Sequence, residues 1–178
     1  MKKESVIVDS STLFNFVKVN RLDILKKLRN YSFRIPYVVI KEFSKGSDRK
    51  RLLHAIESKH IKTETMDLAE SRISSKLLIP HRLRPMIHEG ESPVLAISIN
   101  RKWKIAIDER AGREIVRREI GGEYIIQTKD LLLEAIKKQI ITVETADQIK
   151  SELEDQYCFR IKGFKSFRDF TKQLGNLR

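Results

Sequence analysis

Apolar positions along the chain alternate between short unbroken runs and longer stretches with helical spacing. Val6, Ile7 and Val8 form one run, and Ile105, Ala106 and Ile107 form another. Continuous, mostly β-branched runs of this length suit strands buried on both faces, as in a parallel sheet. Phe33 and Ile35, closed by Pro36, predict a further strand, and so do Tyr124, Ile125 and Ile126. Residues 61–66 alternate weakly, as an edge strand would. Leu13, Phe14, Phe16 and Val17 predict a helix, and the hydroxyls of Ser10, Ser11 and Thr12 mark its start. Leu22, Leu25 and Leu28 predict a second helix, with an apolar face that suits either the core or a dimer contact. Further helices are expected over 38–43, 52–56, 67–78, 111–120, and about 129–139 and 146–156. Another opens near Gly90, where Ser92 is expected to cap and Pro93 to take the first helical position, which does not need its missing N–H.

Strands alternating with helices imply an α/β fold with a parallel sheet covered on both faces. The 178 residues make one domain of ordinary size, in which the part from about residue 140 onward forms a helical C-terminal extension. Phe164, Phe167 and Phe170 recur at spacing three in the basic tail, a pattern that favours packing over a base-stacking platform. Hydrophobic residues make up 40% of the chain, enough for a core and too many for a disordered polymer.

Charge narrows the function. Lys and Arg number 36 against 24 Asp and Glu, a formal net charge of +12. Such an excess points to a polyanionic partner, nucleic acid above all. No apolar run approaches the roughly 18 residues that span a bilayer, and the first residues do not form a signal peptide. Cys158 has no second thiol to pair with, which suits a reducing cytoplasm, and is expected to be a small buried hydrophobe.

Two of the strand runs end in an acid, Asp9 and Asp108, at the sheet edge where parallel α/β folds place their sites. Either acid alone reads equally well as a helix cap. Glu42 lies early in a helix that follows a strand, and Glu91 lies at a helix entrance. If these elements converge, four carboxylates share one pocket. Packed like charges raise one another's pKa, and a divalent cation removes that repulsion. Oxygen ligands without a His or Cys cluster favour Mg²⁺ or Mn²⁺ over zinc. An acidic pocket on a basic protein fits phosphodiester cleavage. His54, His60, His81 and His88 are scattered and lack ligand spacing. Lys45, Arg49, Lys50 and Arg51, and likewise Arg113, Arg117 and Arg118, form either solvated helix faces or phosphate contacts.

The order of these motifs resembles a known family. Val8, Asp9, Ser10 and Ser11, then 38–42 ending in Glu42, then Gly90, Glu91 and Ser92, then 107–111 around Asp108 look like a PIN domain. The match is nearest to a prokaryotic subgroup close to VapC-type toxins. Leu13 to Phe16, 21–25, 126–128 and 159–161 support it, so that the resemblance spans nearly the whole chain. It implies a three-layer α/β/α sandwich with a central, mostly parallel sheet, Mg²⁺- or Mn²⁺-dependent endoribonuclease activity and frequent homodimers. Asp9, Glu42, Glu91 and Asp108 would be the catalytic, metal-binding acids. Ser11 would orient the first acid or a water, and Arg110 and Arg113 would contact RNA phosphates. The chain departs from the pattern in three places. Family members often carry an Asp after the fourth acid, where Glu109 stands. Ser92 and Pro93 replace the Ala-Glu that usually follows the third. The segment 59–85 is longer than expected. The functions compatible with this resemblance are a toxin restrained by an antitoxin protein, a maturation or repair nuclease acting on RNA or DNA without one, and a non-catalytic nucleic-acid-binding module. Four acids in family order argue against the last.

Overall fold

A computed structural model describes residues 3–43, 46–80, 82 and 85–175, with side chains as far as residue 172. Five strands form one sheet: β1 (Glu4–Val8), β2 (Tyr31–Pro36), β3 (Lys62–Glu64), β4 (Lys104–Ala106) and β5 (Ile125–Ile126). Their order is β3-β2-β1-β4-β5, and every pairing is parallel. Ile7 lies opposite Arg34 on one side and Ile105 on the other. Val6, Ile7 and Val8 are completely buried. Successive strand residues face opposite sides, so both faces of the sheet are covered and the fold is the expected three-layer α/β/α sandwich.

The chain runs outward from β1 to β2 and β3, then returns to the other side of β1 for β4 and β5. That reversal opens a crevice between the carboxyl ends of β1 and β4, the place where open α/β sheets bind their ligands.

The helices are α1 (Ser10–Lys18), α2 (Leu22–Lys27), α3 (Tyr37–Glu42), α4 (Ser47–Glu57), α5 (Leu68–Leu78), α6 (Glu91–Arg101), α7 (Arg110–Glu119), α8 (Thr128–Lys137), α9 (Val143–Tyr157) and α10 (Phe167–Gly175). α6 lies across β1, β2 and β4 and packs against α5 and α7. Residues 91–98 of α6 are buried all round, which explains why this helix shows no polar face at its start. Val17, Leu25 and Leu28 belong to the core. α9 packs on α1 and α8, and α10 packs on α9. Phe164 packs edge-to-face against Phe167 and at a tilt against Phe170, at 4.8 and 4.9 Å between ring centres, and Phe167 is fully buried. The tail aromatics are packing, as their spacing predicts.

The long segment 59–85 supplies the edge strand β3 and helix α5, and it anchors α6 by charge. The Glu70 carboxylate is fully buried and accepts from Arg101 Nε at 2.6 Å and Nη2 at 2.9 Å. It also accepts from the Asp67 amide at 2.9 Å, completing a capping box at the start of α5. Burial pushes the Glu70 pKa up, but the bonds from Arg101, Asp67 and Asn100 outweigh it and hold the group below its ordinary value. Arg101 and Arg34 both pair with Glu64, and their guanidinium groups lie 4.7 and 5.0 Å from the centre of the Trp103 ring. This lattice holds the last turn of α6. Glu91 opens the same helix ten residues earlier, about 15 Å away at 1.5 Å per residue.

Two local expectations are corrected. Ser92 does not cap α6, which starts at Glu91 and places Pro93 third. Ser92 is buried instead, with its hydroxyl 2.8 Å from that of Ser74 on α5. Cys158 is exposed. It occupies the left-handed position (φ 55°) that ends α9, and the geometry of that stop puts it at the surface. Among the described residues, no helix is long and apolar enough to cross a membrane.

Candidate active site

Asp9 follows β1 directly, and its amide donates to the Ala106 carbonyl of β4 at 2.9 Å. The residue sits at the mouth of the crevice and caps α1. Its Oδ2 accepts from the Ser11 amide at 3.1 Å and from the Ser11 hydroxyl at 2.5 Å. Its Oδ1 is buried without a hydrogen-bond partner. Burial pushes the Asp9 pKa above its ordinary 3.8; the Ser11 bonds oppose the rise and the Glu42 charge adds to it.

Glu91 opens α6 at the same mouth and is buried. Its Oε1 likewise has no partner. Burial raises its pKa, and the charges of Asp9 and Glu109 raise it further. Glu42, at the end of α3, is exposed, and its carboxylate lies over the backbone of Gly90 so closely that a Cβ there would collide with it. Gly112 of α7 plays the same part for Glu91. A Cβ at Gly112 would stand 3.2 Å from Glu91 Oε1 and would run into Ile107 Cδ1. Two glycines therefore let the backbone come up against two carboxylates.

Asp9, Ser11, Glu42, Glu91 and Glu109 line one cleft of about 670 Å³, together with His88. Three of the four acids expected from sequence are thus brought together, with Ser11 bonded to the first. Asp108 is not among them. Its Oδ1 accepts from the Thr128 amide at 3.1 Å, while its Oδ2 accepts from Thr12 Oγ1 at 2.9 Å, Thr128 Oγ1 at 2.5 Å and Asn15 Nδ2 at 3.3 Å. Burial raises its pKa against the pull of Thr128, Thr12 and Arg113. Asp108 pins the starts of α1 and α8 to the end of β4. Glu109, one residue on, lines the cleft.

A sequence profile of PIN domains matches residues 5–167. The chain belongs to the PIN domain family. No curated protein matches it, and no solved structure does. PIN domains are generally nucleases, and they typically use divalent metal ions. The cleft residues fit such an ion: Asp9 and Glu91, which line the cleft, each bury one carboxylate oxygen without a hydrogen-bond partner, and a buried charge left unpaired is unfavourable. Among the described residues, no group of three or more Asp, Glu, His or Cys side chains is preformed around a single point, so the acids ring the cleft rather than converge.

The signal that could have found Glu109 is its position: the resemblance read from sequence expects an Asp directly after the fourth acid, and the Glu that stands there, one carbon longer, lines the cleft. The other basic candidates divide. Arg110 and Arg113 line an adjoining pocket, and the Arg113 guanidinium donates to the Asp108 carbonyl. Arg49 donates to the carbonyls of Ile40 and Phe43, and Arg51 to that of Val17, so both brace helix ends. Lys45 and His81 lie outside the described residues.

Proposed function

We propose that this PIN domain is a metal-dependent endoribonuclease, with Asp9, Glu42, Glu91 and Glu109 as its working acids. The observation that carries this reading is the pair of buried, unpartnered carboxylate oxygens in one cleft of a chain with net charge +12. A basic surface gathers the polyanion, and the acids hold the cation. All-oxygen donors favour Mg²⁺ or Mn²⁺. Such an ion, when bound, would neutralise the crowded charge and polarise a phosphoryl oxygen.

The chain's own residues supply the positioning. Ser11 fixes one oxygen of Asp9 and leaves the other without a hydrogen-bond partner. Asp108 acts through Thr12 and Thr128, locking the starts of α1 and α8 so that Asp9 and Glu109 keep their places.

The test is incubation of the purified chain with end-labelled RNA and with DNA of the same sequence, in Mg²⁺, in Mn²⁺ and in chelator. RNA cut only with metal, and DNA left whole, is the expected outcome. RNA intact in every lane contradicts the proposal.

A further inference from the structure

A second pocket of about 460 Å³ adjoins the acid cleft, and Glu109 lines both. Its walls are the start of α7, the start of α8 and the segment 159–163. Five cations surround it: Arg110, Arg113, Lys129, Arg160 and Lys162. None of the five forms an ion pair with a carboxylate of the described residues. Asp108, the other acid on its wall, has both oxygens taken by Thr12, Asn15 and Thr128.

The pocket is built rather than incidental. Ile161 is buried and its amide donates to Glu154 at 3.2 Å, while the Phe159 amide donates to the Leu153 carbonyl at 3.0 Å. With Ile161 turned inward, the exposed Arg160 and Lys162 on either side of it reach the pocket together. Arg110 is the first residue of α7 and Lys129 the second of α8. A cation at a helix N-terminus opposes the helix dipole, so these placements work against helix stability. Local conflicts of this kind mark sites where function overrides stability.

We propose that this pocket binds the phosphodiesters of the RNA strand next to the one held in the acid cleft, so that the substrate passes over Glu109 from one to the other. The inference rests on the nuclease reading for its substrate. The spacing of charge fits it: cations neutralise the flanking phosphates while the acids are left to a metal. Phe159, half-buried on the same wall, offers a flat apolar face for a ribose or base.

The experiment measures binding of a fluorescent single-stranded RNA 12-mer by anisotropy, in chelator, across a salt series. It compares the wild type with Arg160→Gln/Lys162→Gln and with Lys26→Gln/Lys62→Gln, which removes equal charge from exposed positions outside both pockets. Thermal melting checks that each variant folds. The pocket variant should bind about tenfold more weakly, with a salt slope smaller by about 1.4, at roughly 0.7 for each phosphate of a single strand that is no longer neutralised. The charge-matched variant should change far less. An unchanged affinity and slope in the pocket variant, or an equal loss in both variants, overturns the proposal. Cleavage by the wild type with Mn²⁺ is read in parallel: if the wild type never cuts while the pocket variant still loses binding, the nuclease reading fails and the phosphate site stands.

Discussion

Ser11 holds one oxygen of Asp9 with both its amide and its hydroxyl, at 3.1 and 2.5 Å, while the other oxygen of Asp9 is buried with no partner at all. Under the proposed reading, this asymmetry is what separates a carboxylate that only caps a helix from one that also holds a metal ion. Ser11→Ala should therefore lower cleavage while leaving the residual activity metal-dependent. Loss of the hydroxyl bond should also cost stability, by about 0.5–1.5 kcal/mol. Urea unfolding beside a cleavage assay checks both.

The buried acids give a pH dependence of defined sign. Asp9 has its pKa raised in the fold, so the folded state binds the proton more tightly than the unfolded one. Its contribution is fully present below the ordinary value of 3.8 and is lost as pH rises through the folded value. In chelator, wild type should lose stability relative to Asp9→Asn as pH climbs above about 4. Saturating Mg²⁺ should shrink that difference. Melting curves at several pH values, with and without metal, test it, and parallel curves in chelator would count against a strained carboxylate at Asp9.

Asp108 and Glu109 are neighbours with separable roles. Asp108→Asn puts an amide N–H₂ among the hydroxyl and amide donors of Thr12, Asn15 and Thr128, and should cost roughly 1–3 kcal/mol of stability. Glu109 is exposed and accepts none of those bonds. Glu109→Gln should leave the melting temperature nearly unchanged and reduce cleavage at limiting metal. Equal loss of stability in both variants would show that the pair acts as one structural unit.

Gly90 has ordinary helical φ (−69°), so alanine suits its backbone, yet a Cβ would collide with the Glu42 carboxylate. Glu42 is a flexible, exposed side chain and will move rather than break the fold. Gly90→Ala should keep the protein folded and lower its activity. Full activity in this variant would remove Glu42 from the working set.

The Glu70–Arg101 pair provides a contrast far from the cleft. Glu70→Gln leaves Arg101 without half of its compensation and should destabilise by about 3 kcal/mol, the scale for breaking one side of a buried pair. Cleavage per folded molecule should persist. Denaturant unfolding and an active-fraction assay separate the two effects.

These contrasts show what the sequence could and could not reveal. Pure apolar runs ending in an acid made β1 and β4 legible, and with them the crevice, because a strand buried on both faces leaves little choice of residue. The family order located Asp9, Glu42 and Glu91. The direction in which Asp108 turns was not legible, because its partners Thr12, Asn15 and Thr128 come from elements 20 to 96 positions away. Ser92 looked like a cap because hydroxyl residues at helix entrances usually are; its bond to Ser74 depends on how α5 packs on α6. Cys158 followed its type into an expected core, whereas the left-handed end of α9 placed it outside. The basic pocket was half visible, in Arg110 and Arg113. Its other half comes from the alternation around Ile161.

The most direct test of the account is Mn²⁺ titration by calorimetry into wild type and into Glu91→Gln, each then assayed for RNA cleavage in the same buffer. The account predicts that wild type binds Mn²⁺ and cuts RNA, and that the variant stays folded but binds at least tenfold more weakly and does not cut. Equal Mn²⁺ affinity in both proteins, or undiminished cleavage by the variant, would show that the open oxygen of Glu91 is not a metal ligand.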